Sequence, residues 1–320
     1  MNPRFYVGVD SGGSKTALCA VAEDGSSVAY ANTTGASWRE HGVPRVVEIV
    51  KQAVAGLTYG LGGLIGGVAM GLPCYGESAE GDGSLDRAMR GAFEGVPVYL
   101  TNDVEAGWAG SLALAPGINI VAGTGSIAFG ADAGGRTARS GGWSEFFGDE
   151  GSCYWIGRRL LEIFSKQMDG RLPRDALYDI MRREPGFCDG VGFVDLIHNE
   201  YINSRERVAS LQLIAYKAAL AGSRAALSLY EEAAGELCLL ILAVRDKLGF
   251  GGAGYDISYS GGLFKAGELV LPRLAKLVGD SGGRLLPPRF NPAQGAALLA
   301  FRHFCPEGAA LAIKAFERLK

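Results

Sequence analysis

Apolar and polar positions in the first third of the chain predict short strands and helices joined by turns. Residues 5–10 and 17–22 are apolar runs connected by Ser11-Gly-Gly-Ser14, a pattern typical of a β-hairpin with a glycine-rich turn. Residues 43–57 have helical periodicity, and Pro44 suits the first turn of that helix. The pattern also predicts strands at 28–30, 64–70 and 96–101 and helices at 85–93 and 103–114.

The same order of elements begins again after Pro116. Strands are predicted at 118–122, 127–131 and 136–140, and the turn between the first two reads Gly123-Thr-Gly-Ser126. When the two blocks are aligned, Gly13 lies over Gly125 and Ser14 over Ser126. Chance similarity between two glycine-rich hairpins is one explanation, but the recurrence of the whole order favours a duplicated fold.

Helical patterns dominate residues 151–248, which we interpret as an insertion into the second half. A strand is predicted at 256–260, followed by a helix to about 278, a strand at 283–286 and helices at 291–304 and 308–319. Strands that alternate with helices indicate an α/β protein with a mainly parallel sheet in each half.

Glycine is the outlier of the composition, with 49 of 320 residues, about twice the frequency expected from its average of ~7%. Hydrophobic residues make up 48% and charged residues 20%, which excludes intrinsic disorder. The glycines therefore serve a folded backbone that often needs positive φ or close approach. The net charge of −3, without a basic run, argues against a nucleic-acid-binding protein.

The cysteines and the uncharged stretches of the sequence indicate the cellular compartment of the protein. The six cysteines are scattered without a CxxC pair, which is typical of reduced thiols in a cytosolic chain. The uncharged stretches at 52–76 and 106–131 are interrupted by glycines and prolines, so we interpret them as helix ends and buried strands rather than membrane spans. The first residues lack the pattern of a signal peptide, and we expect a cytoplasmic protein with no membrane partner.

Asp10-Ser-Gly-Gly-Ser-Lys-Thr16 places a carboxylate at the end of a buried strand, beside a turn of backbone N–H groups. Such a turn can hold a phosphate, because its amides point inward and glycine lets the anion approach. Ser14, Lys15 and Thr16 add polar groups, and Asp10 could hold Mg²⁺ through water. The motif is neither a P-loop nor a dinucleotide fingerprint. An ordinary tight hairpin with a solvated Lys15 explains it as well.

The turn Gly123-Thr-Gly-Ser126 has the same character and also follows a buried strand. Two phosphate-type turns, one in each half, are more informative than either alone. Because ligand clefts concentrate between domains, we expect them to hold a polyphosphate between the halves.

Thr101-Asn-Asp103 lies where a predicted strand ends and a helix begins. Asn102 or Asp103 could simply cap the helix, which suits both residue types. Alternatively, Asp103 is a general base at the carboxyl end of a parallel strand, where open α/β sheets bind ligands. The pattern leaves both interpretations open.

Two further segments carry candidate chemistry. In residues 140–152, Trp143 offers an apolar face for a sugar ring, and Asp149 and Glu150 could accept hydrogen bonds from hydroxyls. The alternative is a loop in which Trp143 is a core residue and Asp149 or Ser152 caps the next helix. Ser260-Gly-Gly262 opens a helix after a late strand, so its backbone could face a phosphate or a base, or could merely form a turn.

In this order, the motifs resemble the sugar-kinase branch of the actin/Hsp70/hexokinase superfamily. More narrowly, they are similar to the N-acetylglucosamine kinase and BadF/BadG/BcrA/BcrD ATPase family. The resemblance covers essentially the whole chain and is carried by residues 9–16, 102–103, 122–126, 141–143, 148–152 and 260–262. It implies a two-lobed α/β fold of the actin-like ATPase type, a duplicated ribonuclease H-like unit with a helical insertion in the second lobe. The expected lobes are residues 1–115, joined by the C-terminal helix 305–320, and residues 116–304.

The resemblance also implies an activity and its residues. The expected protein is an ATP- and Mg²⁺-dependent amino-sugar kinase that phosphorylates the 6-hydroxyl of N-acetylglucosamine, with Asp103 as the general base and Asp10 near Mg²⁺. The residues expected at ATP are Asp10, Gly12, Gly13, Ser14, Lys15, Thr16, Gly123, Thr124, Gly125, Ser126, Gly261 and Gly262. The residues expected at the sugar are Ser37, Asn102, Asp103, Thr124, Gly142, Trp143, Asp149 and Glu150. By family analogy the protein would be a homodimer.

The chain departs from the family pattern in one place that affects the substrate. The family's N-acetylglucosamine kinases often carry Asn before a His-Trp pair, whereas this loop reads Gly35-Ala-Ser-Trp38. Glucosamine therefore stays open as an alternative substrate. A different class, the ATPase activators of acyl-CoA dehydratases and reductases, would need bridging cysteines for an iron–sulfur cluster, and only Cys153 lies near a motif. The zinc-binding cysteines of the ROK kinases are absent from the sequence, so we expect no structural metal.

Overall fold

Two five-stranded sheets, one in each of two packing units, form the framework of the protein. The computed structural model describes residues 3–13, 15–184, 186–187, 190–251 and 254–319. Unit 1 comprises residues 1–116 and 287–320, and unit 2 comprises residues 117–286.

The sheet of unit 1 has the strand order β3-β2-β1-β4-β5, in which β1, β4 and β5 are parallel and β2 and β3 form antiparallel hairpins with their neighbours. Its strands are β1 (Arg4–Ser11), β2 (Lys15–Ala22), β3 (Val28–Thr34), β4 (Leu64–Leu72) and β5 (Val98–Asn102). The helices of the N-terminal part are α1 (Trp38–His41), α2 (Val43–Tyr59), α3 (Ala79–Ala92) and α4 (Asp103–Ser111).

The sheet of unit 2 has the corresponding order β8-β7-β6-β9-β10, with the same strand polarity. Its strands are β6 (Gly117–Ala122), β7 (Ser126–Ala131), β8 (Thr137–Gly141), β9 (Tyr255–Ser260) and β10 (Gly283–Leu285). The identical order and polarity confirm the predicted duplication, which the hairpin turns alone had left open to chance.

The predicted helical insertion is also confirmed. It consists of α5 (Cys153–Met168), α6 (Ala176–Met181), α7 (Val191–Leu196), a π-helical turn (Ile197–Tyr201), α8 (Arg205–Ser210), α9 (Gln212–Leu220) and α10 (Arg224–Leu248). The chain then forms β9, a 3₁₀ turn (Gly262–Ala266), α11 (Gly267–Gly279) and β10. The long helix α10 packs against the sheet, and its buried Leu237, Ile241 and Val244 join the core of unit 2.

The C-terminal segment consists of α12 (Pro292–Phe304), a 3₁₀ turn (Pro306–Gly308) and α13 (Ala309–Glu317). The prediction that residues 287–304 belong to the second lobe is wrong, because α12 packs in unit 1, against β1 and α4. The reason is a contact of backbone with backbone. A Cβ on Gly8 of β1 would lie 2.0 Å from the backbone nitrogen of Ala297, and a Cβ on Gly295 would lie 2.0 Å from the carbonyl oxygen of Ala106.

Several element boundaries differ from the sequence pattern, among them the start of α3, which lies at Ala79 and not at residue 85. Strand β3 continues to Thr34 because the polar residues Asn32–Thr34 pair with β2 at the sheet edge, where hydrogen bonding rather than burial holds the strand. Helix α4 stops at Ser111, and Ala113 and Leu114 adopt positive φ, which ends the helix before Pro116. Among the described residues, no helix is both long and apolar enough to cross a membrane.

Gly295→Ala is expected to destabilise unit 1 by about 3 kcal/mol, because the new methyl group would push α12 away from the backbone of α4. The matched control is Gly83→Ala in the interior of α3. There the nearest atom to an added Cβ is the Arg87 Nη1, 3.8 Å away. Alanine is favoured over glycine in a helix, so this variant should be as stable as the wild type or up to about 1 kcal/mol more stable. Urea unfolding measures both, and equal midpoints for the two variants would contradict the packing argument.

Candidate functional site

Asp10 and Asp103 lie at the same edge of the first sheet, at the carboxyl ends of its parallel strands. Asp10 in β1 is opposite Gly71 in β4, and Gly71 is opposite Thr101 in β5, two residues before Asp103. A Cβ on Gly71 would lie 3.1 Å from the Cα of Asp103. The missing side chain therefore lets α4 start directly over β4. Carboxyl ends of parallel strands are where open α/β sheets bind ligands.

Both carboxyl groups at this edge have pKa values above their ordinary range. Burial is the largest cause that raises the pKa of Asp10 to about 7; the negative charge of Asp103 acts in the same direction, and Lys15 opposes both. Burial likewise raises the pKa of Asp103 to about 6, against the hydrogen bonds from the backbone N–H groups of Val104 and of Asp103 itself, while the charge of Glu77 adds to the rise.

The helix cap belongs to Asn102 and not to Asp103. The Asn102 Oδ1 accepts a hydrogen bond from the N–H of Val104 at 3.1 Å, and its Nδ2 donates to the carbonyl oxygen of Tyr75 at 2.7 Å. Both polar atoms of Asn102 thus serve the fold, which leaves its predicted contact with a sugar as a prediction. Asp103 is the first helical residue, so its carboxylate is not needed as a cap.

The β1–β2 turn is held from behind by the loop after β3. The N–H of Ala36 donates to the carbonyl oxygen of Gly12 at 3.2 Å and to the Ser11 Oγ at 3.1 Å. A Cβ on Gly35 would lie 1.8 Å from the carbonyl oxygen of Gly13, so only glycine fits there. Thr16 is fully buried and its hydroxyl bonds to Ser11 at 2.9 Å, so it supports the turn, and its predicted contact with ATP stays a prediction.

Lys15 is exposed, and Gly12 and Gly13 remain accessible at the turn; Ser14 lies outside the described residues. Ser37, expected at the sugar, is buried at the start of α1, where its carbonyl oxygen accepts the N–H groups of Glu40 and His41. The neighbouring Arg39 pairs with Glu77 at 3.4 Å, so an ion pair lies in the same unit as Asp103 and near its carboxyl group.

The β6–β7 turn, Gly123–Ser126, is fixed by the segment before and at the start of α5. The carbonyl oxygens of Gly123 and Thr124 accept the N–H groups of Cys153 (2.9 Å) and Tyr154 (3.4 Å). The Ser126 Oγ donates to the carbonyl oxygen of Glu150 at 2.7 Å. Within the part of the chain that the structure describes, no protein acceptor takes the N–H of Thr124 or Gly125. Two backbone donors are therefore available to a ligand.

Asp149 is almost completely buried, with 2% of its surface exposed, and it adopts a positive φ of 59°. Its Oδ1 accepts the N–H of Ser126 at 3.1 Å, and its Oδ2 accepts a hydrogen bond from the Arg205 guanidinium. The predicted contact between Asp149 and a sugar stays a prediction, but the carboxylate already links the turn to the insertion. Ser152, not Asp149, caps α5 by accepting the N–H of Trp155 at 3.1 Å.

Trp143 is 59% exposed, so the alternative in which it is a core residue is wrong. Arg139 lies over the ring, with its guanidinium carbon 5.4 Å from the ring centroid. Gly142 adopts a positive φ of 70° and donates its N–H to the carbonyl oxygen of Ser126, which joins this loop to the β6–β7 turn. Glu150 is half-buried and precedes α5. Trp143 and Glu150 are both accessible to a small molecule.

Gly261 lies directly against the end of β6. A Cβ there would be 2.3 Å from the carbonyl oxygen of Ala122 and 2.9 Å from the backbone nitrogen of Gly123, and its φ is 109°. The structure of unit 2 thus brings the predicted motifs at 123–126, 141–143, 149–150 and 261–262 to the carboxyl ends of β6 and β9.

Sequence reasoning missed four residues of these surroundings: Gly35, Gly71, Glu77 and Arg205. Gly71 had a signal, because a glycine inside a strand often marks a close approach of another backbone. Glu77 and Arg205 had none, since they lie in a loop and in a short helix far along the chain from the groups they contact.

The acidic edge of unit 1 fits the magnesium ion that the fold family implies. Asp10 is half-buried, and no described residue donates a hydrogen bond to its carboxylate, so its oxygens are free to accept from coordinated water. Mg²⁺ prefers oxygen ligands and usually keeps several waters while binding one or two carboxylates and substrate phosphates. Among the described residues, no three His, Cys, Asp or Glu side chains group as ligands of a metal.

The duplicated sheet order, with acidic residues and glycine turns at the strand ends, defines an α/β protein of the actin-like ATPase fold. The family model described as "BadF/BadG/BcrA/BcrD ATPase family" matches residues 7–300, and the chain belongs to that family.

Three similar proteins carry kinase names. The chain is 33% identical to an N-acetylmuramic acid/N-acetylglucosamine kinase of Clostridium acetobutylicum over 52% of this chain, and the match spans only about half of that relative (54%). It is 25% identical to an N-acetyl-D-glucosamine kinase of Dictyostelium discoideum over 94% of this chain and 98% of the relative. The solved structure of a candidate N-acetylglucosamine kinase from Chromobacterium violaceum has a TM-score of 0.74 at 22% identity, covering 94% of this chain and 99% of that one.

The raised pKa of Asp103 predicts how its removal affects stability. A carboxyl group whose pKa is higher in the folded state than in the unfolded chain binds more protons when folded, so the free energy of unfolding falls as the pH rises from about 4 to about 6. Asp103→Asn should therefore be more stable than the wild type at pH 8, by about 1–3 kcal/mol, and nearly equal to it at pH 4.

Urea unfolding at both pH values measures this difference. Asp24→Asn is the control, because the pKa of Asp24 is lowered by hydrogen bonds from Ser26, so its replacement should give no gain at pH 8. If Asp103→Asn were less stable than the wild type at pH 8, the carboxylate would be stabilised by the fold and the argument from burial would be wrong.

Proposed function

We propose that the protein is an ATP-dependent kinase that phosphorylates the 6-hydroxyl of an amino sugar, with N-acetylglucosamine as the preferred substrate. The observation that carries the proposal is the carboxyl group of Asp103. It is partly accessible and has a pKa near 6, and the N-cap of its helix is Asn102. Membership of an ATPase family and the full-length N-acetyl-D-glucosamine kinase relative support the same reaction.

In the proposed reaction Asp103 acts as general base. Its carboxylate accepts the proton of the sugar 6-hydroxyl while that oxygen forms a bond to the γ-phosphorus. The bond between the γ-phosphorus and the β,γ-bridging oxygen breaks, and ADP leaves. A pKa near 6 suits this role at neutral pH, because the group is ionised before the reaction and is still basic enough to accept a proton.

The nucleotide is proposed to bind through backbone donors. No described residue offers an acceptor to the N–H groups of Thr124 and Gly125, and in unit 1 the exposed Gly13 and Lys15 offer a backbone donor and a positive charge, while the Gly12 N–H closes the turn on the carbonyl oxygen of Lys15. The bound Mg²⁺ neutralises phosphate charge, and Asp10 would hold it through water. Gly261 and Gly262 leave a flat backbone surface beside Gly123, which suits adenosine.

The sugar is proposed to lie on the exposed face of Trp143, near Gly142 and Glu150. One face of the indole is covered by Arg139, so the ring can offer its other face to the apolar side of a pyranose. Glu150 can accept hydrogen bonds from sugar hydroxyls. Aligned on Trp38, Ala36 occupies the place where related kinases carry Asn, and both Ala36 and Ser37 are buried, so the acetamido group would have a different partner here.

ADP release with Mg-ATP and a panel of N-acetylglucosamine, N-acetylmuramic acid, glucosamine, glucose and no sugar tests the proposal. We expect N-acetylglucosamine to stimulate turnover most strongly, with the 6-phosphate as product by NMR. Asp103→Asn should lower kcat by about 10²–10⁴, the typical contribution of a general base.

Glu105→Gln is the matched control on the same helix. Glu105 accepts hydrogen bonds from Tyr99 and Thr101 and is not needed for proton transfer, so kcat should change less than threefold. Turnover that no sugar stimulates would overturn the kinase proposal and favour an ATPase of the activator class, which the visible absorbance of an iron–sulfur cluster would reveal. Unchanged turnover in Asp103→Asn would contradict the role of Asp103 as general base but would be compatible with kinase activity.

The pH profile gives a second test of the base. Because Asp103 must be ionised in the free enzyme, kcat/KM should fall with a slope of one below about pH 6. In Asp103→Asn the residual activity should lose this acidic limb. A limb that is still present in the variant would assign the titration to another group.

A further inference from the structure

Arg205 is a charged residue that none of the proposed roles uses. It is the first residue of α8, and its guanidinium contacts two acidic side chains, Asp149 by a hydrogen bond and Glu145 with its Nε 3.5 Å from the Oε2. The place of α8 is fixed, because Gly157 of α5 lies against its backbone: a Cβ there would be 2.0 Å from the carbonyl oxygen of Val208. Arg205 is therefore held by the fold and is not a freely moving surface side chain.

The ion pair of Asp149 with Arg205 lies directly against the β6–β7 turn. The Oδ1 of Asp149 accepts the N–H of Ser126, and a Cβ on Gly125 would be 2.6 Å from both the Asp149 Oδ1 and the Arg205 Nη2. No side chain thus separates the pair from the turn. The N–H groups of Thr124 and Gly125, for which the described residues provide no acceptor, belong to the same four-residue turn.

A buried carboxylate at this position works against a phosphate ligand. Asp149 is 2% exposed, so water screens its negative charge poorly, and like charges repel more strongly in such surroundings. The carboxylate is nevertheless needed, because it accepts the N–H of Ser126 and fixes the turn. A cation beside it removes the repulsion while it keeps the hydrogen bond.

We propose that Arg205 is a positioning residue for nucleotide binding: it compensates the buried charge of Asp149 so that the β6–β7 turn can accept phosphate. This inference rests on the proposed function, in which the turn binds the phosphates of ATP. It adds a residue of the helical insertion to the nucleotide site, and the effect of that residue is transmitted through Asp149.

Arg205→Gln is the informative variant, because glutamine can still donate a hydrogen bond to Asp149 but carries no charge. We expect the dissociation constants of ADP and of a non-hydrolysable ATP analogue, measured by calorimetry, to rise tenfold or more. The affinity for adenosine, which has no phosphate, should change less than twofold. A purely structural role would alter both affinities or neither.

A second substitution in the same background separates charge from hydrogen bonding. In Arg205→Gln/Asp149→Asn the asparagine Oδ1 still accepts the N–H of Ser126, and the unpaired charge is gone. ADP affinity should return to within threefold of the wild type. Arg207→Ala is the matched control: it lies on the same short helix but pairs with Glu200, and its ADP affinity should stay within twofold of the wild type.

The outcomes are distinguishable. Failure of the wild type to bind ADP or the analogue would overturn the proposed function itself. Wild-type binding together with a less than twofold effect of Arg205→Gln, or an effect that Asp149→Asn does not reverse, would overturn the role of Arg205. If Arg205→Gln does not fold, the double variant Arg205→Gln/Asp149→Asn, in which neither side chain is charged, provides the test. A folded double variant that binds ADP more than tenfold more weakly than the wild type would show that compensation of charge is not what Arg205 provides.

Discussion

Direct contact of backbone with backbone is the constraint on which both units depend. Helix α12 packs on β1 through Gly8 and on α4 through Gly295, and α8 packs on α5 through Gly157. At the strand ends the same device recurs, with Gly35 behind the β1–β2 turn and Gly261 against the end of β6. Many of the glycines are therefore required for close packing of backbone against backbone, and not only for ligand turns.

The same constraint sets the chemistry of the acidic edge in unit 1. Because Gly71 lets α4 begin directly over β4, Asp103 is brought close enough to Asp10 for their charges to interact, and both become partly buried. Burial raises the pKa of Asp10 to about 7 and that of Asp103 to about 6. Ionisation of the two carboxyl groups in these surroundings lowers the free energy of unfolding. Perturbed pKa values of this kind are common at functional sites.

The order of elements and most motif positions could be predicted from the sequence, because apolar periodicity and glycine turns are local signals. The place of residues 287–304 could not, since their helical pattern is the same whichever sheet they cover, and contacts with Gly8 and Ala106 decide it. At the site, the place of Asp103 at a strand end could be predicted, the pattern left open whether Asn102 or Asp103 caps the helix, and the burial of Thr16 could not be predicted. The orientation of Asn102 depends in part on Tyr75, whose carbonyl oxygen accepts the Asn102 Nδ2 hydrogen bond from 27 residues away in the sequence.

The two glycine turns reach similar electrostatic conditions by different routes. At the first, an exposed Lys15 opposes the burial and like charge that raise the pKa of Asp10, so cation and anion come from one hairpin. At the second, the anion is Asp149, which accepts the N–H of Ser126 from outside the turn, and the cation comes from α8 in the insertion. An insertion that supplies the compensating charge cannot be removed without exposing the turn to an unpaired carboxylate. Residues 151–248 are therefore coupled to the ligand end of the sheet through the ion pair of Arg205 with Asp149 and the hydrogen bonds that Cys153 and Tyr154 donate to the turn, in addition to their packing on the core.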